Sequence, residues 1–358
     1  MFVTVRHQLT LIVGCRGQWV GGEMAMDKMY ESKEFREFEA YIESNLQGVG
    51  GEEVDLGVED EEVKRALDVL VEAIRGAEGA VFVYTGAGIS CAAGLPSYRG
   101  PEGVWTKAVK GKIQAGADAD ADADGADENI RATVTGEGDD DDDDQEDHEE
   151  DHEEDKLGYG LVSLLETVKP TKAHVLLARM VDEGLVSCVA TTNVDGLHAD
   201  TGLVRGETLA QLHGSYYTGA CLACGHIHQR SKGEGVLEAR DPESRGTGIS
   251  CPACRDGELA STIVGFFDTY AQVPSMEAAY DVAWVAASQA RVCLVLGSSL
   301  SVETACSIPD YTVEAGGDLF IVNLQDTVKD GMAKECIRCG VDEVLEYVYA
   351  RVRTSERE

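Results

Sequence analysis

The apolar positions between residues 60 and 76 repeat at the spacing of an amphipathic helix. They fall at i, i+4, i+7, i+8 and i+11 and so share one helix face: Val63, Leu67, Leu70, Val71 and Ile74. Two glycines, Gly76 and Gly79, predict the end of this helix. The apolar run at 80–84 then predicts a buried strand of the kind found in parallel sheets. A glycine-rich turn follows it at 85–90.

The same order of helix and strand continues along the chain. Helices are predicted at 161–167, 174–183, 280–288 and 341–352, and strands at 186–191, 291–296 and 318–322. Strands that alternate with helices indicate an α/β fold with a Rossmann-like open parallel sheet. Polar or glycine-rich turns follow four predicted strands, at 85–90, 192–195, 297–300 and 323–325. Because ligands of such sheets bind at the carboxyl ends of the strands, these turns are expected to converge on one crevice.

Acidic residues are concentrated in one segment. Residues 115–155 contain 21 acidic side chains and one basic side chain, Arg131, so the rest of the chain carries −16 of the formal net charge of −36. A segment so poor in apolar residues cannot bury a core, and we expect a disordered insertion. The negative charge argues against direct nucleic-acid binding and favours basic partners such as lysine-rich tails.

The 11 cysteines do not form a disulfide framework. Seven of them are scattered among apolar or helical stretches, which favours a reducing compartment. No apolar run approaches the ~18 residues that a membrane span needs, so no membrane association is expected. Residues 1–55 are an N-terminal extension of uncertain structure, in which 31–46 predicts a short acidic helix.

The other four cysteines form two CxxC pairs. Cys221 and Cys224 are separated from Cys251 and Cys254 by 26 residues. Four thiolates suit tetrahedral Zn²⁺ and leave no open coordination position, so the pattern predicts one structural zinc. The zinc would hold a small zinc-ribbon domain, inserted at about 216–262. Unligated thiols or disulfides are the alternatives.

One histidine lies just outside this zinc segment. His213 precedes Cys221 by eight residues, and the near-neutral reference pKa of histidine suits it to general-base catalysis. A lone histidine is nevertheless most often structural. His198 is the other candidate base, and for it a structural role, or a role in supporting a neighbouring site residue, is expected instead. The Gly86-Ala87-Gly88 turn fits a pyrophosphate at a helix N-terminus, but a tight turn without ligand fits equally well.

Several motifs follow one another in a fixed order: Gly86-Ala87-Gly88-Ile89-Ser90, Pro96-Ser97-Tyr98-Arg99, Thr192-Asn193-Val194-Asp195, His213-Gly214, the four cysteines, Gly297-Ser298-Ser299 and Asn323-Leu324-Gln325. As a set they resemble the sirtuins, the NAD-dependent protein-lysine deacylases. Residues 99–106 are similar to the class IV branch, which includes mammalian sirtuins six and seven. The resemblance spans a catalytic domain at 56–352, interrupted by the acidic insertion. Its Rossmann-like parts are 56–114, 156–215 and 263–352, and 353–358 is a tail.

The resemblance implies that NAD and acyl-lysine meet between the Rossmann-like and zinc domains. The pyrophosphate would be held by the first turn and its neighbours Gly86, Ala87, Gly88, Ser90 and Cys91. The nicotinamide side would involve a mobile loop and a pocket, formed by Tyr98, Arg99, Trp105, Thr192, Asn193 and Asp195. The adenosine half would contact Gly297, Ser298, Ser299, Asn323, Gln325 and Val341. The substrate peptide would bind near Val264, Phe266 and Phe267.

The implied reaction consumes NAD as a co-substrate. The acyl amide oxygen attacks the nicotinamide ribose, and His213 acts as general base on a ribose hydroxyl. The products are nicotinamide, free lysine and O-acyl-ADP-ribose. Acylated lysine-containing proteins, histones among them, are the implied substrates. The nucleus is the implied location, with the cytoplasm as the alternative, and the oligomeric state stays open. Two other functions remain open: a protein mono-ADP-ribosyltransferase, or a weakly active NAD- or ADP-ribose-binding protein associated with chromatin.

Three residues depart from the family pattern. Ser97 stands where the family has aspartate, Thr192 where it has glutamine, and Phe267 where it has the glycine of Phe-Gly-Glu. Threonine has a shorter reach towards a ribose hydroxyl, and a phenylalanine would narrow the lysine channel. We therefore expect lowered deacetylase activity or an altered choice of acyl group. The Tyr-x-x-Arg pair of desuccinylating relatives is absent from 102–114, so acidic acyl groups are not favoured.

Overall fold

A parallel sheet of six strands forms the centre of the protein. The computed structural model describes residues 53–97, 164–240, 244–264, 273, 276–302 and 304–353. Within them the strands are β1 (Val81–Thr85), β2 (Cys188–Thr191), β3 (Leu209–Gln211), β4 (Thr218–Cys221), β5 (Ile227–Gln229), β6 (Gly246–Ser250), β7 (Glu258–Ser261), β8 (Val292–Leu296), β9 (Asp318–Val322) and β10 (Glu335–Ile337). The helices are α1 (Glu61–Ala77), α2 (Lys172–Asp182), α3 (Leu197–Asp200), α4 (Met276–Gln289), α5 (Asp310–Glu314) and α6 (Val341–Val352).

The central strand of this sheet is β1. The strand order is β10-β9-β8-β1-β2-β3, and Val83 of β1 lies between Val189 of β2 and Leu294 of β8. From β1 the chain first moves outward through β2 and β3, and it later returns to form β8 on the other side. The connections therefore diverge between β1 and β8. In open α/β sheets the ligand crevice lies at such a reversal, outside the carboxyl ends of the strands.

Helices cover both faces of the sheet. α1, α2 and α6 pack on one face against Val81 and Val83, and α4 and α5 pack on the other, which carries Phe82 and Tyr84. All five residues of β1 are buried, as expected for a parallel strand between two helical layers. Fully burying one such side chain contributes roughly 1.5–3 kcal/mol, so these two layers hold the sheet in place.

The boundaries of α1 follow from its sequence. The Asp60 carboxylate accepts hydrogen bonds from the backbone N–H groups of Glu62 and Val63 at 2.9 and 3.2 Å, which caps the first turn. The helix ends at Ala77, because Glu78 adopts a left-handed conformation with φ of 52°. Its buried face carries the five apolar residues predicted for it. The helix prediction is confirmed, although the helix continues through Gly76.

A second sheet contains four antiparallel strands in the order β5-β4-β7-β6. We refer to β4–β7 and the four paired cysteines as the zinc module. Its small core contains Leu237 and Leu259 together with Cys221 and Cys251. So few apolar side chains cannot stabilise an independent unit, and a metal site is the usual supplement in such cases.

The predicted fold class is confirmed: an α/β protein with a Rossmann-like parallel sheet and an inserted small sheet that bears the cysteines. β9 and α6 have their predicted bounds, whereas α4 begins at Met276, four residues earlier than predicted. The predictions missed β3, β10 and α5, which are too short to show a period. The predictions for 31–46, for the acidic insertion and for 354–358 lie outside the described residues. Where the structure is described, none of the helices has the length and apolar character needed to cross a bilayer.

Candidate active site

The turns after β1 and β8 touch through their backbones. The N–H of Gly88 donates to the carbonyl of Gly297 at 2.8 Å, and the N–H of Gly86 donates to that of Leu296 at 3.1 Å. A Cβ on Gly88 would lie 2.6 Å from Cα of Gly297, whose own φ is +61°. Glycine is therefore required at both positions. The first turn leads into a short 3-10 helix, Ala87–Ala93, on which Cys91 is exposed.

A cluster of three polar side chains joins the turns after β1 and β2. Ser90 Oγ donates to Asp195 Oδ2 at 2.7 Å, while Asn193 Nδ2 donates to Ser90 Oγ and to the Gly86 carbonyl, both at 3.1 Å. Asp195 Oδ1 also accepts the backbone N–H of Leu197 at 2.9 Å. Burial raises the pKa of the Asp195 carboxyl, and these two hydrogen bonds oppose that shift. The cluster presents fixed donors and acceptors that can recognise a planar carboxamide.

Thr192, the residue that departs from the family glutamine, lies beside this cluster. Its Oγ1 donates to the Thr85 carbonyl at 3.3 Å, so the hydroxyl is turned towards the backbone of β1. The neighbouring Thr191 hydroxyl accepts the N–H of Asn193 at 3.0 Å and fixes the start of the turn. Thr192 thus supports the turn, and its side chain is too short to extend as far from the turn as a glutamine would.

The turns after β8 and β9 carry hydroxyl and amide groups at the same edge of the sheet. Ser298 Oγ accepts the N–H of Leu300 at 3.3 Å, and the hydroxyls of Ser299 and Ser301 lie 2.8 Å apart. Asn323 Nδ2 donates to the Gln325 carbonyl at 2.8 Å and so closes the next turn.

Neighbouring segments support the turn after β9. Arg338 donates to the Asn323 carbonyl at 3.2 Å, and the N–H of Val54 donates to the Leu324 carbonyl at 2.9 Å. Residues just before 56 therefore pack on the Rossmann-like part, although the sequence places them in the N-terminal extension. Val341 begins α6 close by. The structure thus brings all four predicted turns to one edge.

His213 lies directly after β3, at the junction with the zinc module. The N–H of Leu212 donates to the Thr191 carbonyl at 2.9 Å, and the N–H of Val264 donates to the His213 carbonyl at 3.0 Å. Gly214 turns the chain with φ of +73°, and a Cβ there would lie 1.8 Å from the Thr262 carbonyl oxygen. The main chain at the half-buried His213 is therefore held from one side by the Rossmann-like sheet and from the other by the segment that ends the zinc module.

A buried histidine pair lies beneath the turns after β1 and β2. His198 Nε2 is 2.9 Å from Thr85 Oγ1, and the His198 and His174 rings are 4.5 Å apart. His174 Nδ1 accepts the N–H of Thr171 at 3.3 Å, completing a capping box at the start of α2. Burial lowers the pKa of both rings, that of His174 to about 3. Both are neutral near pH 7, which agrees with the structural role expected for His198. The Thr-x-x-His spacing of the capping box is the sequence signal that predicts this position of His174.

The four paired cysteines form one cluster. Their Sγ atoms all lie within 4.8 Å of one another, with 3.6 Å between Cys221 and Cys254 and 3.9 Å between Cys224 and Cys251. Tetrahedral Zn–S bonds of about 2.3 Å give S···S edges of about 3.8 Å, close to these two distances, so the cluster is compatible with one Zn²⁺. The N–H groups of Cys224 and Ala223 donate to Cys221 Sγ at 3.4 Å and lower the pKa of that thiol to about 6.

Five predicted site residues lie outside the described residues: Tyr98, Arg99, Trp105, Phe266 and Phe267. Their roles stay predictions. The groups that are described fit a dinucleotide in type, because a reversal of sheet winding, two glycine-containing turns in main-chain contact, hydroxyls, amides and a buried carboxyl all occur at one edge.

Comparison with known proteins identifies the family. The model of the Sir2 family matches residues 142–304. The chain is 30% identical over 294 residues to an NAD-dependent protein deacetylase of Haloarcula marismortui, covering 80% of this chain and 94% of that protein. It is 32% identical over 293 residues to the NAD-dependent protein deacetylase sirtuin-7 of Bos taurus, covering 80% of this chain and 60% of that protein. The chain belongs to the Sir2 family.

A solved structure supports the same assignment for this Sir2-family protein. A Sir2 variant with a deacetylated p53 peptide and 3′-O-acetyl ADP-ribose superimposes with a TM-score of 0.53 and 25% identity, covering 79% of this chain and 97% of that one. The resemblance inferred from the motifs is therefore confirmed. The chain spans about 60% of the length of the sirtuin-7 relatives it matches. The family is NAD-dependent, and the cysteine cluster is compatible with one structural zinc.

Gly214→Ala tests the junction at His213. The new Cβ would collide with the Thr262 carbonyl at a backbone conformation that alanine disfavours, so we expect a loss on the order of 3 kcal/mol in the free energy of unfolding. Gly184 has the same φ of +73° and open space around it, so Gly184→Ala should cost only about 1 kcal/mol. Urea unfolding measures both, and equal losses would show that the close approach is unimportant.

Metal analysis tests the cysteine cluster. We expect one zinc per chain by mass spectrometry, and Cys251→Ala should lose it because three thiolates remain. Chelation of the wild-type protein should lower its thermal midpoint, since metal binding contributes folding free energy. Cys91→Ala removes an exposed thiol outside the cluster and serves as control. Full zinc content in Cys251→Ala would contradict the assignment.

The buried histidine pair predicts acid sensitivity. The pKa of His174 lies near 3 in the folded chain and near 6.5 when unfolded, so only the unfolded state takes up the proton as the pH falls below 6.5. Stability is therefore lost from about pH 6.5 downwards, by about 2 kcal/mol between pH 7 and pH 5 from this group. His174→Gln keeps a hydrogen-bond acceptor but does not titrate. Between pH 7 and pH 5 this variant should therefore lose about 2 kcal/mol less of its free energy of unfolding than the wild type. Urea unfolding at both pH values provides the comparison.

Proposed function

We propose that this Sir2-family protein is an NAD-dependent protein-lysine deacylase, chiefly a deacetylase, which releases nicotinamide and O-acyl-ADP-ribose. One observation carries the proposal: the Ser90–Asn193–Asp195 cluster and His213 lie after neighbouring strands, at the edge where the sheet reverses. The relatives named NAD-dependent protein deacetylase support it, as does the solved Sir2 structure with a deacetylated peptide and 3′-O-acetyl ADP-ribose.

Residues at different positions along this edge contact different parts of NAD. NAD would supply an electrophilic ribose carbon with nicotinamide as leaving group. Asn193 and Asp195 bind the carboxamide, and the first turn binds the pyrophosphate through main-chain groups because Gly88 and Gly297 exclude side chains. His213 accepts the proton of a ribose hydroxyl at a ring nitrogen. A base held in place in this way contributes on the order of 10²–10⁴ in rate.

The substrate peptide binds beside Val264, the residue whose N–H fixes the His213 carbonyl. Recognition through the peptide backbone at such an edge requires little sequence specificity. Charge supplies the preference, because a chain with a net charge of −36 attracts basic segments. Acylated histone tails and a nuclear location are consistent with this charge and with the sirtuin-7 relatives. A histone peptide and a neutral peptide, each acetylated, separate the contribution of charge from that of the acyl-lysine.

A second function has one observation in its favour. The Thr192 hydroxyl is bound to the Thr85 carbonyl, where the family has a longer amide. A site that binds the dinucleotide but positions the ribose poorly would serve as a weakly active NAD- or ADP-ribose-binding protein. Calorimetric binding of ADP-ribose together with negligible nicotinamide release would favour this alternative.

His213→Ala tests the enzymatic proposal. We expect nicotinamide release with acetylated and myristoylated histone peptides to fall about 10²–10⁴-fold. The thermal midpoint should stay within a few degrees, because the backbone contacts of residue 213 do not depend on its ring. His226→Ala, on an exposed position of the zinc module, is the matched control and should retain full activity. Wild-type release no greater than that of His213→Ala would overturn the enzymatic proposal.

A further inference from the structure

Lys232 extends from the zinc module into the Rossmann-like part. It begins a short 3-10 helix between β5 and β6, and the Ser231 N–H orders this helix by donating to Glu234 Oε2 at 2.8 Å. The Lys232 ammonium donates to the Val168 carbonyl at 2.8 Å and lies 3.1 Å from Asp200 Oδ2. Only 14% of the Lys232 side chain is exposed, so these partners have replaced most of the water around its ammonium.

Both partners of Lys232 adjoin α3. Asp200 is the last residue of α3, and Val168 packs in a small apolar cluster with Leu197, the first residue of the same helix. The N–H of Leu197 is the group that Asp195 Oδ1 binds at 2.9 Å. A helix of four residues has almost no internal hydrogen bonding, so its position depends on contacts from outside. Lys232 contacts the last residue of α3 directly and is linked to its first residue through Val168.

The charges around Asp195 give the contact a second consequence. Burial raises the pKa of the Asp195 carboxyl, Asp200 raises it further, and the Lys232 ammonium lowers it. Tyr217 also faces this region, with Lys232 Nζ 5.9 Å from the centre of its ring. By pairing with Asp200, the ammonium offsets a like charge near Asp195 and favours its ionised form.

We propose that Lys232 is a positioning residue for the nicotinamide side of the NAD pocket: from the zinc module it holds α3, and through α3 it holds Asp195. The inference rests on the proposed function in one respect, the assignment of Asp195 to nicotinamide. It assigns to the zinc module an effect on NAD binding that is separate from the metal site.

The test compares four variants of the full chain. Lys232→Met keeps the aliphatic stem and removes the charge, and Lys232→Arg keeps the charge. Asp200→Asn removes the partner charge and leaves the lysine in place. Lys334→Met is the control, because it removes an exposed ion pair far from α3. In that pair Lys334 Nζ lies 2.7 Å from Asp318 Oδ2, where β9 and β10 begin. Hydrogen exchange over 194–201, zinc content, and the dissociation constants of NAD and ADP-ribose are measured for each.

We expect faster exchange over 194–201 and about tenfold weaker NAD binding in Lys232→Met, with zinc retained. ADP-ribose lacks the nicotinamide, so its dissociation constant should change less than about twofold. Lys232→Arg should restore NAD binding, Asp200→Asn should shift exchange in the same direction as Lys232→Met, and Lys334→Met should match the wild type. If Lys232→Met is too unstable to purify, Asp200→Asn should carry the same NAD-selective loss.

Two results would overturn the inference. One is unchanged NAD binding in both Lys232→Met and Asp200→Asn. The other is an equal weakening of NAD and ADP-ribose, which indicates a general structural effect. These measurements require no turnover. A wild-type chain that binds NAD without releasing nicotinamide would therefore overturn the proposed function alone.

Discussion

The backbone contact between the turns after β1 and β8 is the constraint on which the rest of the site depends. Neither Gly88 nor Gly297 has room for a Cβ, so the carboxyl ends of the two strands are fixed at main-chain contact distance. β2 then pairs in register with β1, and this pairing brings Asn193 and Asp195 against Ser90. A ligand at this edge therefore meets the main chain of Gly88 and Gly297 between β1 and β8, and side chains such as Asn193 next to it.

The buried titratable side chains beneath these turns reduce the free-energy cost of burying a charge in two different ways. An ionised carboxylate costs several kcal/mol to bury, and Asp195, 6% exposed, accepts hydrogen bonds from Ser90 and from the N–H of Leu197. His174 and His198 remain neutral instead, because burial lowers the pKa of each ring. Among the described residues, Asp195 and the Lys232–Asp200 pair bring charge next to α3, and partners stabilise it there. The region can then present a carboxylate to a ligand without a competing cation from the histidines.

Local patterns predicted the parts of this structure that local forces determine. The strand at 318–322 and the helix at 341–352 were predicted with the right bounds, because the first is a continuous apolar run and the second an amphipathic repeat, each between polar or glycine residues. The cysteine cluster followed from spacing in the same way. The contact of Ser90 with Asp195 joins residues 105 apart, and that of Lys232 with Val168 joins residues 64 apart. No periodicity marks such pairs. β3 and β10 escaped prediction because three residues are too few to show alternation.

The cysteine and histidine motifs suggest that the metal site and the proposed base, His213, act independently. The structure links the two through the zinc module. His213 is anchored on one side by strand pairing with β2 and on the other by Gly214 and Val264, which lie against the segment that closes the zinc module. Lys232 forms a second junction between the zinc module and the Rossmann-like part. It reaches Asp195 through α3, whereas Ser90 contacts Asp195 directly. The four cysteines lie within the module, and the module contacts one boundary of the site at two places. A metal ion in this cluster would therefore affect the proposed chemistry without coordinating any reacting atom, since displacement of the small sheet would move both His213 and Asp195.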